Sequence, residues 1–430
     1  MSRHFPTFLI LTSLLFLLLI VQPVKTQALT PTPTSIPSTN QEYVRGLNLF
    51  GGWQGEFGGT NAFATPAMME YFKTKGFTHF RAGFSWKFLQ PTLNGPLDPT
   101  YLAQMDALMA SARSRGLKIA FVPLPGLYKG NNVATSAVPQ AAFNDMWKKL
   151  AAHYKDDAAL WGYDLINEPN MGDTWNTTIA PSAIAAIRTV DMTHPILVPT
   201  STGGYGHYFK YHLAGLPMSD PANNLIYEAH FYFDTPPNGQ YPNGFDVPNA
   251  NLNIGVDNAK DFVNWCVSNN VKCFAGEYGV PAGWKMGTQT CLYDGGMNKD
   301  PRWLTVLDNF LTYLDQNKIS GAYWSGGPYG DISSIGPFCD AQSKFYDAPQ
   351  MAILTKHLGS SVSVSPAPTP VTSCNEDINS DHVVDLTDYS LLITDFLKSV
   401  PINPRADINR DGLVDLTDYS LLVRKFLKSC

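Results

Sequence analysis

Between residues 42 and 359 the chain repeats one two-part unit, a short apolar run followed by a segment whose apolar residues recur at helical spacing. The runs at 44–50, 78–84, 118–124, 160–166, 195–200, 225–231, 271–275 and 320–324 read as strands. Among the helical segments, 101–115 carries Leu102, Met105, Leu108 and Met109 on one face and stops at Gly116. Segments 143–154, 258–269, 303–317 and 348–358 behave alike. Eight β-then-α units in roughly 300 residues predict an α/β fold, a (β/α)8 barrel. An open doubly wound sheet is the alternative. It would more often carry a Gly-rich phosphate loop after its first strand, and Gly51-Gly52-Trp53 is not one.

A barrel places function at the C-terminal ends of its strands. Those ends read Asn48 and Trp53, Arg81 to Trp86, Pro123 to Gly126, Asn167-Glu168, Thr200-Ser201, His230 to Tyr232, Glu277-Tyr278 and Trp324. The fourth run, within WGYDLINEPN (161–170), is stopped by Pro169, which has no N–H and restricts the residue before it. Glu168 therefore sits at the end of a buried strand, and Glu277 ends the seventh strand on another side of the barrel. A pair of carboxyl groups facing each other across the mouth is what glycosidic bond cleavage requires. The composition agrees: 9 Trp, 20 Tyr and 24 Phe with only 15% charged residues suit a neutral, stackable ligand such as a sugar. A net charge of −6 with no basic stripe argues against nucleic acid.

The blocks YVRGLNL, HFRAGF, GYDLINEP, EAHFYF, FAGEYGV and GAYWSGGP, in that order, resemble glycoside hydrolase family 5, whose catalytic glutamates end strands four and seven. The resemblance implies that Glu168 is the general acid/base and Glu277 the nucleophile, with net retention and carboxyls about 5–5.5 Å apart. It implies no cofactor for catalysis. Asn167 matches the residue that contacts the sugar 2-hydroxyl. Strict alternation would put Asn167 and Glu168 on opposite faces, so the strand end must bulge or turn. Arg81 matches the arginine that supports the ionised nucleophile, and a structural ion pair is an equal reading. His230 and Tyr232 share a face beside Glu277. Glu228 lies deeper on that face and needs a partner, for which Arg81 is the candidate. Trp324 matches a sugar-stacking platform. Trp53 and Trp284 are lesser candidates that could equally pack their loops. The family's histidine near the end of strand three is missing, and the loop reads FVPLPG (121–126) instead.

The tail carries a duplication. DINSDHVVDLTD and DINRDGLVDLTD begin at Asp377 and Asp407, 30 residues apart, each followed by YSLL. Oxygen-bearing residues at loop positions 1, 3, 5, 9 and 12 have calcium-loop spacing. The first loop offers Asp377, Asn379, Asp381, Asp385 and Asp388; the second offers Asp407, Asn409, Asp411, Asp415 and Asp418. The duplicated loops resemble a type I dockerin, a small all-α module, which implies structural Ca2+ and a cohesin-type scaffold partner. His382 replaces the turn glycine of the first loop and predicts weaker calcium there.

Residues 1–28 read as a signal peptide, with an uncharged run at 8–21 that is short for a membrane span, although an uncleaved anchor is the alternative. Pro/Thr/Ser-rich linkers are placed at 29–41 and 360–373, bounding a catalytic domain at 42–359 and a tail module at 374–430. An extracellular location permits disulfides. The six cysteines allow 15 pairings, of which Cys266–Cys273, Cys291–Cys339 and Cys374–Cys430 are expected. The whole predicts a secreted, retaining endo-acting β-1,4-glucanase tethered through its tail. A β-mannanase or other β-1,4-glycan hydrolase, and a non-catalytic carbohydrate-binding barrel, are the rival readings.

Overall fold

The computed structural model describes residues 43–57, 61–235, 237–241, 245, 251–281, 300–327, 335, 338–339, 345–358, 375–379, 384–398, 401 and 403–425. The leader, both linkers, Trp284, Asp381, His382, Cys291, Cys374, Cys430 and the side chain of Cys339 lie outside them. The chain divides into two compact units between Leu358 and Gly359.

In the first unit eight parallel strands close into a barrel in sequence order. They are β1 (Arg45–Leu49), β2 (His79–Phe84), β3 (Lys118–Pro123), β4 (Leu160–Asp164), β5 (Ile196–Pro199), β6 (Leu225–Tyr232), β7 (Lys272–Gly279) and β8 (Ser320–Gly326). The helices are α1 (Pro66–Thr74), α2 (Trp86–Leu89), α3 (Pro99–Arg113), α4 (Gln140–Tyr154), α5 (Ala180–Arg188), α6 (Ile254–Asn269), α7 (Arg302–Gln316) and α8 (Gln350–Leu358). Local chemistry sets their ends. Asp98 caps α3 by accepting from the Tyr101 N–H at 2.8 Å, with Pro99 in the first turn. Helix α6 stops at Asn270, which takes a left-handed φ of 52°. Three helices, α1, α2 and α5, have no counterpart in the apolar periodicity, and α2 is a single four-residue turn. α1 is only nine residues long, and α5 (APSAIAAIR) is built largely of Ala around a proline, which leaves few large apolar residues to count. Cys266 and Cys273 form the expected disulfide from α6 to β7.

The main core fills the space between sheet and helices with Trp147, Tyr163, Phe84, Trp303 and Phe310 among its fully buried residues. The barrel interior is different. Leu197, Ile226, Phe274 and Ala322, with Trp161 against them, close its N-terminal end. Above that floor the strands contribute Arg81, Asp164 and Glu228, each at most 1% exposed, where barrels of this kind usually carry branched apolar side chains.

Register explains how Glu277 joins them. On β6 and β7, Ala229 pairs with Ala275 but His230 pairs with Glu277, so β7 carries one extra residue, Gly276. Without that bulge the inward position after Phe274 would fall on Gly276, and Glu277 would face the helices. The empty side-chain position is used: a Cβ built on Gly276 would lie 1.7 Å from Glu228 Oε1.

The second unit has α9 (Leu386–Thr394) and α10 (Leu416–Lys425) around a small core of Ile378, Val384, Leu392, Ala406, Ile408, Val414 and Leu422.

Candidate active site

Arg81 stands at the centre of the barrel mouth's polar network. Its Nε donates to Asp164 Oδ2 at 2.5 Å and lies 3.2 Å from Glu228 Oε1. Its Nη1 donates to Asn48 Oδ1 at 3.0 Å and to Glu277 Oε1 at 2.7 Å, and its Nη2 donates to Asn167 Oδ1 at 2.9 Å. From β2, one rigid fork thus fixes groups on β1, β4, β6 and β7 and Asn167 just beyond β4, a geometry an ammonium could not reproduce. Arg81 contacts both the buried carboxylate of Asp164 and Glu277.

Glu277 is held at both oxygens, by Arg81 and by the Tyr232 hydroxyl, which donates to Oε2 at 2.7 Å. The His230 ring lies between the glutamates. Its Nδ1 is 2.9 Å from Glu168 Oε1 and 3.5 Å from Glu277 Oε2, and its Nε2 is 3.1 Å from Glu228 Oε1. One oxygen of Glu168 and one of Glu277 come within 4.8 Å of each other. Glu168 is the glutamate that reaches outward, its side chain 33% exposed against 4% for Glu277. Strand pairing of β4 ends at Asp164, the Asn167 N–H donates to the Pro123 carbonyl at 3.1 Å, and Glu168 takes a φ of 48°. That turn lets Asn167 face Arg81 while Glu168 faces His230. The loop after β5 closes in from the side: a Cβ on Gly204 (φ 82°) would lie 2.6 Å from Glu168 Cγ and 2.9 Å from His230 Nδ1.

The charges follow from these contacts. Burial opposes the Arg81 cation, but Asp164, Glu228 and Glu277 outweigh it and raise its pKa above the ordinary value. Burial likewise opposes the His230 cation, yet the carboxylates of Glu277, Glu168 and Glu228 push its pKa up to about 10. In its cationic form His230 donates from both ring nitrogens. Burial raises the Glu277 pKa, against the pull of His230 and Arg81.

Trp324 is half-buried on β8, edge-on to Phe50 at 5.4 Å. Trp53 is 8% exposed and packs with Val122 and Leu124, which marks it as loop packing. The same apolar cluster occupies the end of β3, where the family histidine would stand. Asp164 and Gly276 escaped the sequence reading. An inward-parity carboxylate inside the apolar run LWGYDLI was the available signal for Asp164; the bulge at Gly276 left none.

In the tail, the second loop is fully described. Asp418 Oδ1 accepts from the N–H groups of Ile408 and Asn409 at 2.7 and 3.0 Å, and its Oδ2 accepts from Asp415 at 2.9 Å. Asp407 accepts from Asp411 and Gly412, the latter at a φ of 93°. Asp388 repeats the pattern with Ile378, Asn379 and Asp385 in the first loop. Asp377 is buried and Asp385 caps α9.

Residues 36–330 match the family model described as cellulase, glycosyl hydrolase family 5. The chain belongs to glycosyl hydrolase family 5. Residues 375–427 match the type I dockerin domain. This family 5 glycoside hydrolase is 30% identical to the Pseudomonas stutzeri endoglucanase Cel5A, with a TM-score of 0.65 over 76% of this chain and 97% of that one. It is 26% identical to the Xanthomonas axonopodis pv. citri endo-β-1,4-glucanase Xac0029, with a TM-score of 0.62 over 73% and 98%. The manganese dependent endoglucanase Eg5A of Phanerodontia chrysosporium is 25% identical over 227 residues, which span 50% of this chain and 58% of that relative. Endo-β-1,4-glucanase B of Aspergillus niger is 25% identical over 301 residues, 68% of this chain and 82% of the relative.

Proposed function

We propose that the barrel is a retaining endo-β-1,4-glucanase that cleaves β-glucan by double displacement. The observation that carries this reading is the pairing of a fully held Glu277 with a partly exposed Glu168 whose oxygen comes within 4.8 Å of it, the close spacing of the retaining mechanism. Glu168 donates its proton to the glycosidic oxygen while a Glu277 oxygen attacks the anomeric carbon. The C–O bond to the leaving chain breaks and a glycosyl–enzyme ester forms. Glu168, now a carboxylate, takes a proton from water as that water attacks the same carbon, and Glu277 leaves as the carboxylate. Arg81 and Tyr232 hold Glu277 in line for attack; Asn167 lies at the sugar 2-hydroxyl; Trp324 offers a face to the ring. β-Glucan as substrate draws support from relatives that are endo-β-1,4-glucanases and from a solved complex of the Pseudomonas stutzeri enzyme with cellobiose.

The tail reading is part of the proposal. The all-oxygen donor set Asp407, Asn409, Asp411, Asp415 and Asp418 fits a hard cation, and Asp377, Asn379, Asp381, Asp385 and Asp388 form the second set. Calcium would be held there structurally, and exposed Leu386 and Leu416, at 69% and 70%, would meet a cohesin-type partner on a scaffold outside the cell, after export through the leader at 1–28.

The test is reducing-end release from carboxymethyl cellulose, barley β-glucan, glucomannan, galactomannan and xyloglucan, with wild type beside Glu168→Ala. Glucan cleavage lost in the variant, with the β-anomer formed first by NMR, is expected. Mannan cleavage alone would replace the substrate, and no release from any glycan by the folded chain would replace catalysis by binding.

A further inference from the structure

The charged layer beneath the glutamates is out of balance by one. Facing each other inside the barrel are Arg81 from β2, Asp164 from β4, Glu228 and His230 from β6 and Glu277 from β7. Their inward neighbours on the other strands, Asn48 on β1, Ala120 on β3, Leu197 on β5 and Ala322 on β8, are uncharged. Two cations meet three carboxylates at positions that are at most 3% exposed. An unmatched charge there is costly. Two oxygens of the layer, Asp164 Oδ1 and Glu228 Oε2, are buried with no hydrogen-bond partner among the described residues when both carboxyls are treated as acceptors only. Buried polar atoms in native proteins are rarely left so. One proton resolves both problems, since a carboxylic acid can donate to a carboxylate and two carboxylates cannot hydrogen-bond.

We propose that Asp164 and Glu228 share one proton, carried by Asp164, and that the pair acts as a positioning device that keeps His230 cationic beneath Glu168. This rests on the reading of Glu168 as the acid/base. Glu228 is the ionised member because it faces two cations, Arg81 Nε at 3.2 Å and His230 Nε2 at 3.1 Å, whereas among the described residues Asp164 pairs with one cation, Arg81. The titration directions agree: burial raises Asp164 well above the ordinary range, while Arg81 and His230 overcome burial and lower Glu228. The slot vacated by Gly276 admits the Glu228 carboxyl to this place. The outcome at the reacting end is specific. With Nε2–H donated to Glu228, His230 donates Nδ1–H to Glu168 Oε1, which leaves Oε2 as the oxygen that bears the transferable proton.

Two readouts on the full chain test this without relying on turnover. The first is the infrared difference at pH 7 between wild type and Asp164→Asn, which should show loss of a protonated-carboxyl band. The second is 15N NMR of histidine-labelled protein, with His230 assigned through His230→Gln. Removing an ionised neighbour lowers a histidine pKa, and removing a neutral one does not. Glu228→Gln should lower the His230 titration by about one pH unit or more, and Asp164→Asn should leave His230 charged as in wild type. Absence of the carboxyl band, or an equal fall in both variants, overturns the proposal. So does failure of Asp164→Asn to fold, because the amide reproduces the donor and acceptor of the neutral acid. If Glu228→Gln does not fold, the Asp164→Asn arms decide. An inactive wild type that passes both readouts would remove the glycanase reading and leave the shared proton standing.

Discussion

Replacing Arg81 by Met keeps much of its volume and removes one cation from a set of carboxylates that cannot reach water. Asp164, Asn48, Glu277 and Asn167 each lose a donor at 2.5–3.0 Å. Breaking a buried pair by deleting one partner costs about 3–5 kcal/mol, because the other charge stays behind. That is a large part of a typical domain stability of about 5–15 kcal/mol. At about 2–4 °C per kcal/mol for a domain of this order of size, the barrel's melting transition should fall by about 6–20 °C. The loss should depend on pH with a definite sign. Without Arg81 the remaining carboxyls have raised pKa values in the folded state, so the folded variant binds more protons than the unfolded chain and is relatively less stable as pH rises. Calorimetry at pH 5 and pH 8, at fixed calcium, reads this: the deficit of Arg81→Met should be smaller at pH 5. Arg81→Lys should recover part of the stability, since it restores the charge but not the fork. A variant within about 1 kcal/mol of wild type at pH 8 would refute the reasoning, because the layer would then be as content with an apolar side chain.

Gly276→Ala should lose activity together with stability, because the new methyl falls 1.7 Å from Glu228 Oε1 and must displace the group that holds His230; chemical denaturation should show about 1–3 kcal/mol. His230 contributes to pH-dependent stability in the alkaline range. Its folded pKa of about 10 exceeds the ordinary 6.5, so its stabilisation is complete below about pH 6.5 and lost as pH rises through about 10. Melting curves of His230→Gln should therefore fall less steeply than wild type between these values. Calcium removal by EDTA should increase hydrogen exchange in α9 and α10 and spare the barrel, and calcium at about 1,000 times its Kd should restore about 4 kcal/mol to the tail unit; identical exchange with and without calcium would count against metal in the loops.

The eight strands were legible because parallel strands buried on both faces read as near-continuous apolar runs, and the run at 225–231 matches β6 to within one residue. Seven of the predicted inner residues, Arg81, Asn167, Glu168, Glu228, His230, Tyr232 and Glu277, lie in one bonded network. Glu228 found Arg81 as its partner, as the cost of a lone buried charge requires. The rest was hidden for physical reasons. The seventh run stops at 275, yet β7 continues to Gly279, because Gly276 and Glu277 break the apolar run on which the reading depends. Asp164 was passed over as part of an apolar stretch, since side-chain parity matters only once the barrel's inside is known. Asp98, Thr65 and Asn270 end helices through single local hydrogen bonds or a single left-handed φ, signals that say where an element stops but not what it packs on.

The apolar floor of Leu197, Ile226, Phe274 and Ala322 makes the barrel a vessel open at one end. Arg81 and His230 are at most 1% exposed, so their labile hydrogens can exchange with solvent only when the network opens at the mouth, beside Glu168. A glycan lying across that mouth would act as a stopper, so the exchange of these side-chain hydrogens measures cleft occupancy from beneath.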